Sequence, residues 1–259
     1  MDLGLAGRKA LIFGGSRGLG RACAEAIASE GALVTIAGRT EATLAAAAAE
    51  ISARYGVPVS HVSADITTDE GRRAALAACP EPDILLNNAS GWPPGDFRDL
   101  SHEDWIAGIN SMMLGPIGMI RLVVDDMMAR GFGRIVNITS RSVKIPQAEL
   151  SLSNGARTGL TGFVAGLSRQ TISRGVTINN ILPGIFDSEA QAEHIQGLVD
   201  AGEGTFEEIH ARRAQENPAG RYGRPEELGS LFAWLCGDKA GFMTGQNLLI
   251  DGGSYPGTF

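Results

Sequence analysis

In this 259-residue chain, short β-rich apolar runs alternate with longer helical patterns from end to end, and that order limits the folds open to it. KALIFGG (9–15), ALVTIAG (32–38), VSHVSAD (59–65), DILLNNA (83–89), GRIVNITS (133–140), VTINNILPG (176–184) and NLLIDGG (247–253) read as strands. A run such as KALIFGG is apolar throughout rather than alternating, the pattern of a strand covered on both faces. Helical periodicity predicts helices around 20–31, 41–56, 70–78, 103–129, 155–173 and 225–236. Strands separated by helices favour a parallel sheet, here of about seven strands, between two helical layers. No linker or change of composition divides the chain, so a single domain over 1–259 is expected.

Glycine numbers 35 of 259 residues, about twice its average share of about 7%, and its spread between apolar runs points to tight turns rather than disorder. The net charge of −7 argues against nucleic acid or an anionic membrane as the main partner. Cys23, Cys79 and Cys236 have no metal-binding spacing and read as free buried thiols in a reducing cytoplasm. His61, His102, His194 and His210 form no ligand pair, and no metal site is expected. The N-terminus lacks the charged and apolar regions of a signal peptide. No apolar run is read as reaching the roughly 18 residues that span a bilayer.

The sharpest local signal is GGSRGLGRA, directly after the first strand and opening a helix. Gly14, Gly18 and Gly20 would let the backbone approach a pyrophosphate, which the helix N-terminus attracts through its unpaired N–H groups. Ser16, Arg17 and Leu19 complete the loop. The turn after the second strand selects between dinucleotides: an acid there bonds the ribose hydroxyl of NAD, whereas arginine accepts the 2′-phosphate of NADP. The sequence reads IAGRT, with Arg39 and no acid, and Arg17 stands nearby in the first loop. NADP(H) is therefore expected in preference to NAD(H).

With these motifs the chain resembles the short-chain dehydrogenase/reductase family, close to its 3-oxoacyl-acyl-carrier-protein reductase type. The resemblance runs essentially end to end, and it implies a Rossmann-type doubly wound fold. GGSRGLG keeps the family's GxxxGxG spacing. By resemblance, Asp65 and Ile66 in SADIT lie near the adenine, and Asn88 and Ala89 in NNASG lie beside the cofactor. Asn110 and Ser140 match the active-site asparagine and serine; Pro183, Gly184 and Ser188 in ILPGIFDS match the turn near the nicotinamide. The segment 187–222 corresponds to a small substrate-covering lobe. The family further implies a small carbonyl or alcohol substrate, a cytoplasmic location and a homotetramer or homodimer.

One departure stands out. Relatives carry Tyr-x-x-x-Lys thirteen residues after the serine, but here the matching positions hold Ser153 and Arg157. Spacing i, i+4 keeps both on one helical face. Carbonyl reduction needs a proton for the developing alkoxide, and a serine is far too weak an acid to give it at neutral pH. A positioned general acid contributes about 10²–10⁴-fold. Lys144, four residues after Ser140, is one candidate substitute; Tyr255 near the C-terminus is another, while Tyr55 and Tyr222 read as structural. The acids from Asp187 to Glu216 in the lobe read as a solvated amphipathic helix pair, with a rival reading in which they disfavour anionic carriers. Three functions stay open: carbonyl or alcohol redox chemistry with an altered proton donor, reduction of an enoyl or dienoyl thioester, and cofactor binding with little redox activity.

Overall fold

The computed structural model describes residues 1–258. Seven strands form one parallel sheet: β1 (Lys9–Phe13), β2 (Leu33–Gly38), β3 (Val59–Ser63), β4 (Ile84–Asn88), β5 (Gly133–Ile138), β6 (Val176–Pro183) and β7 (Asn247–Ile250). Their order across the sheet is β3-β2-β1-β4-β5-β6-β7. The chain winds outward from β1 in one direction, then returns to β4 and winds in the other. Such a reversal opens a crevice at the carboxyl ends of the central strands, which is where α/β sheets bind ligands.

Side chains alternate across the sheet and feed two separate cores. Ala10, Ile12, Ile84 and Leu86 face α1 (Gly18–Ala28), α2 (Glu41–Tyr55) and α9 (Pro225–Cys236), packing on Ile27, Leu44 and Phe232. Leu11, Phe13, Leu85 and Ile135 face the opposite layer, α3 (Asp69–Ala78), α5 (Gly115–Arg130) and α6 (Ser151–Thr171), through Ala75, Val123 and Val164. Each fully buried Leu or Ile contributes about 1.5–3 kcal/mol, so both helical layers are strongly fixed. Cys23, Cys79 and Cys236 are buried free thiols, as expected.

A polar seam runs through β4–β7. Asn87 Nδ2 donates to Asn137 Oδ1 at 2.8 Å, Asn137 Nδ2 to Asn180 Oδ1 at 2.9 Å, and Asn180 Nδ2 to Asn247 Oδ1 at 2.8 Å. These residues are direct neighbours in the ladder, Asn87 with Asn137, Asn137 with Asn180 and Asn180 with Asn247. A one-residue slip of any of these strands would move its amide to the other face. The seam thus fixes the register of the strands that carry the candidate site.

Three expectations need correction. The helix expected over 103–129 is α4 (His102–Ile109), a π-helical turn Asn110–Leu114, and α5. Hydrophobic periodicity cannot reveal a single wide turn. The same run, His102–Arg130, is long and apolar enough by composition to cross a membrane, contrary to the expectation that no such run exists. Interspersed Gly, Ser and Asn hid it from a search for unbroken apolar stretches. In the fold, its Met119, Ile120, Val123 and Met127 are buried in the core. Helix α6 also begins at Ser151 rather than 155.

The lobe is the helix pair α7 (Glu189–Asp200) and α8 (Phe206–Glu216), with a small core of Ile185, Ile195, Ile209 and Tyr222.

Candidate active site

The turn joining β1 to α1 is built around two close approaches. Gly14 has φ +66°, and a Cβ there would stand 2.6 Å from Asn88 Nδ2. A Cβ on Gly20 would collide with the Gly14 carbonyl and stand 2.7 Å from Asn88 Nδ2. Asn88, at the end of β4, therefore closes the back of the turn. Ser16 and Arg17 precede Gly18, the first residue of α1, and Leu19 packs its side chain on the core. No acidic side chain occupies the first turn of α1, and the Arg17 N-cap side chain makes no capping bond. The helix thus presents N–H groups and positive dipole to the crevice, the arrangement that holds a phosphate.

A cavity of about 460 Å³ opens beyond it, lined by Arg39, Ser63, Ala64, Asp65 and Glu70 among others. Asp65 does not project as a free carboxylate: its Oδ1 accepts from Thr67 N at 2.9 Å and Thr67 Oγ1 at 2.8 Å. Ile66 is buried, and its carbonyl accepts from Arg72 Nη1 at 2.6 Å. The chamber is edged by one exposed arginine, Arg39, and by two acids, Asp65 and Glu70. Arg17, however, reaches the lobe, with Nη1 3.3 Å from Glu193 Oε1 and 3.5 Å from Glu189 Oε2.

Across the crevice, Ser140 follows β5 and caps a 3₁₀ turn, Arg141–Val143; its Oγ accepts from Ser142 N at 3.0 Å. That bond uses a lone pair and leaves the hydroxyl proton to donate. Asn110 opens the π turn and its Nδ2 donates to Thr67 O at 3.3 Å. Single π turns are frequent where helices carry functional groups. Pro183 ends β6, and Gly184 N donates to Ile250 O at 2.8 Å. Ser188 caps α7, its Oγ accepting from Gln191 N, and its Cβ lies 3.9 Å from the Cβ position of Gly18.

Ser153 and Arg157 lie on the buried face of α6, 6% and 7% exposed. The Ser153 hydroxyl donates to Met112 Sδ at 3.6 Å. Arg157 reaches past the ends of two strands: Nη1 donates to Ile138 O at 3.2 Å and Nη2 to Ala89 O at 3.4 Å. No carboxylate forms an ion pair with it among the described residues. Burial alone pushes its guanidinium down to about 10, so it is a fixed cation at neutral pH.

Of the substitute acids, Lys144 Nζ lies 5.5 Å from the centre of the Tyr255 ring. Tyr222 is buried, donates to His210 O at 3.3 Å, and burial raises its phenol. Sequence reasoning missed the asparagine seam, although its signal was visible as an Asn in each of four consecutive strands. Arg213 reads only as one of the cations of the lobe's solvated helix pair, and Arg141 carries no sequence signal of its own. Among the described residues no cluster of His, Cys, Asp or Glu can hold a metal ion.

A family model described as enoyl-(acyl carrier protein) reductase matches residues 14–255. The 3-oxoacyl-[acyl-carrier-protein] reductase FabG of Vibrio harveyi is 31% identical, covering 98% of this chain and 99% of its own. That of Aquifex aeolicus is 29% identical, covering 98% of this chain and 100% of its own. L-sorbose reductase from Gluconobacter frateurii, solved with NADPH and L-sorbose, superposes with a TM-score of 0.94 at 28% identity, each chain covered in full.

Proposed function

The chain belongs to the short-chain dehydrogenase/reductase family, and on that premise we propose that it transfers a hydride between NADP(H) and a small carbonyl or alcohol substrate, using Ser140, Asn110 and Arg157 without a tyrosine acid. The observation that carries this reading is the glycine turn, with Arg39 on one side and, past the end of β5, Ser140 and the buried Arg157 on the other. The NADPH complex of the sorbose reductase relative supports the choice of cofactor. Gly14, Ser16, Gly18 and Gly20 would hold the pyrophosphate and Arg39 the 2′-phosphate, with Pro183, Gly184 and Ser188 at the nicotinamide end. The bound dinucleotide would supply or accept the hydride.

The protein's own part is electrostatic. Ser140 donates to the substrate oxygen, held in position by the Ser142 amide. Arg157 fixes a positive charge at the dry floor of the pocket, where it stabilises charge developing on that oxygen; one such preorganised donor is worth about 10²–10³-fold. Ser153 supplies no acid, so the proton comes from water. The family resemblance, rather than the site, supports a homotetramer or homodimer of one-domain chains. NADPH oxidation with a panel of ketones and aldehydes tests it, and absence of turnover on every one of them would count against it.

A second reading, reduction of a conjugated alkene, is favoured by Ser153: with its hydroxyl on Met112 rather than a substrate oxygen, the site suits a reaction whose negative charge develops farther from the hydride acceptor. Enoyl thioesters in the same panel separate the two.

A further inference from the structure

The chain holds three tyrosines, and they stand in different surroundings. Tyr55 ends α2 and packs on its core, and Tyr222 gives its hydroxyl to His210 O within the lobe. Tyr255 is placed otherwise: the centre of its ring lies 5.5 Å from Lys144 Nζ. Lys144 ends the 3₁₀ turn that Ser140 caps. Val143 N donates to Ser140 O at 3.2 Å and Lys144 N to Arg141 O at 2.9 Å, so the lysine is tied to the Ser140 turn by its backbone.

The C-terminal tail is clamped for this contact. It leaves β7 beside Gly184, where a Cβ would stand 2.7 Å from Asp251 Cα. The Asp251 carboxylate accepts from Gly253 N at 3.0 Å with one oxygen and from Tyr255 N at 2.8 Å with the other. Asn217, itself buried, donates to Asp251 O at 2.9 Å and to Ser254 Oγ at 3.0 Å. Gly257 lies against the edge of the phenol, and a Cβ there would collide with the Tyr255 hydroxyl. Lys144 follows the end of β5 and the tail follows the end of β7, with β6 between them. At a strand spacing of about 4.8 Å, the contact spans the end of β6, which carries Pro183. A phenol–lysine pair therefore stands at the carboxyl end of the sheet, the end that carries Ser140, while α6 offers neither group.

We infer that Tyr255 feeds the proton that water carries to the substrate oxygen, with Lys144 offsetting the charge left on the phenol. This rests on the hydride-transfer reading above. As the substrate carbon takes the hydride, the carbonyl π pair moves onto oxygen, where Ser140 donates to it. Water gives that oxygen a proton, and the water O–H is restored as the Tyr255 O–H bond breaks. The phenolate then regains a proton from solvent. An ammonium over the ring face holds the ring in place and attracts the negative charge that forms on it. The tyrosine missing from α6 is thereby replaced one water away from the reacting oxygen rather than beside it.

Two substitutions separate the hydroxyl from the ring: Tyr255→Phe keeps the face that Lys144 meets, and Tyr255→Leu removes it. On a carbonyl substrate from the panel, Tyr255→Phe is expected to lower kcat about tenfold or more. KM and NADPH affinity should stay unchanged, and the solvent deuterium isotope effect on kcat should grow. Lys144→Met should lower kcat likewise, and the exposed Lys239→Met should not. A kcat for Tyr255→Phe equal to wild type overturns the inference, even where Tyr255→Leu is impaired, because the ring alone would then suffice. The contact itself is read without nucleotide or substrate. The chain has three lysines, Lys9, Lys144 and Lys239, so ¹³C-methylation should give one dimethyl-lysine signal shifted upfield by the Tyr255 ring. That signal should persist in Tyr255→Phe and vanish in Tyr255→Leu and Lys144→Met; its absence from the wild type also overturns the inference. Wild-type turnover on no substrate removes the hydride-transfer reading and the relay with it, whereas turnover indifferent to Tyr255→Phe removes the relay alone.

Discussion

Arg157 carries a charge into a place where only two backbone carbonyls receive it. Its role is therefore legible from titration. The cation is present below its pKa of about 10 and lost above it, so kcat/KM is expected to stay level through the neutral range and fall once pH passes about 10. Ser153 should behave differently, because its hydroxyl is spent on a thioether. Ser153→Ala is expected to lower kcat/KM by less than about tenfold, whereas Arg157→Met should lower it by about 10²-fold or more; steady-state kinetics on one substrate measures both. A tyrosine at 153 would need the volume that Met112 fills, so restoring Tyr-x-x-x-Lys calls for a smaller residue at 112 as well. At this scale the spacing from Ser140 located both side chains. It said nothing of Met112, because contact between α6 and the π turn is made only in three dimensions.

Among the elements, β4–β7 are tied by the asparagine seam and the lobe by charges. Asn137 sits in the middle, donating to one amide and accepting from another. Asn137→Leu would leave two buried amides short of a partner, at about 1–3 kcal/mol each. The melting temperature is expected to fall by about 2–4 °C per kcal/mol, with calorimetry as the check; an unchanged melting point would mean the seam stabilises nothing. The seam was hidden by its own motifs: NNA looked like a cofactor segment, and the other asparagines lay in runs too apolar to suggest polar contacts. The strands themselves were legible from those same runs, and the π turn was not. The lobe meets the glycine turn through Arg17, Glu189 and Glu193, all about 60–65% exposed. Such pairs are worth at most about 1 kcal/mol, so Glu189→Gln with Glu193→Gln should speed amide exchange in α7 and strengthen NADPH binding severalfold by freeing Arg17. Weaker NADPH binding in that variant would show that the acids help to place the arginine.

For the whole molecule, the order of the sheet decides where chemistry can happen. The reversal between β1 and β4 sets the glycine turn, Asn88, Ser140 and Pro183 along one crevice, and two cores on opposite faces hold that edge rigid. The alternation of strands and helices made this architecture readable in advance. The paired or unpaired state of each arginine was not readable, since it depends on which acid lies within reach after folding. Everything chemical depends on the dinucleotide lying in that crevice, so the most direct measurement is a nicotinamide-fluorescence titration of the wild type and Gly20→Val with NADPH and NADH. NADPH is expected to bind the wild type about tenfold or more tighter than NADH, one charge-assisted contact to the 2′-phosphate being worth that much, and neither should bind Gly20→Val. Equal or tighter NADH binding, or nucleotide binding that survives the valine, contradicts it.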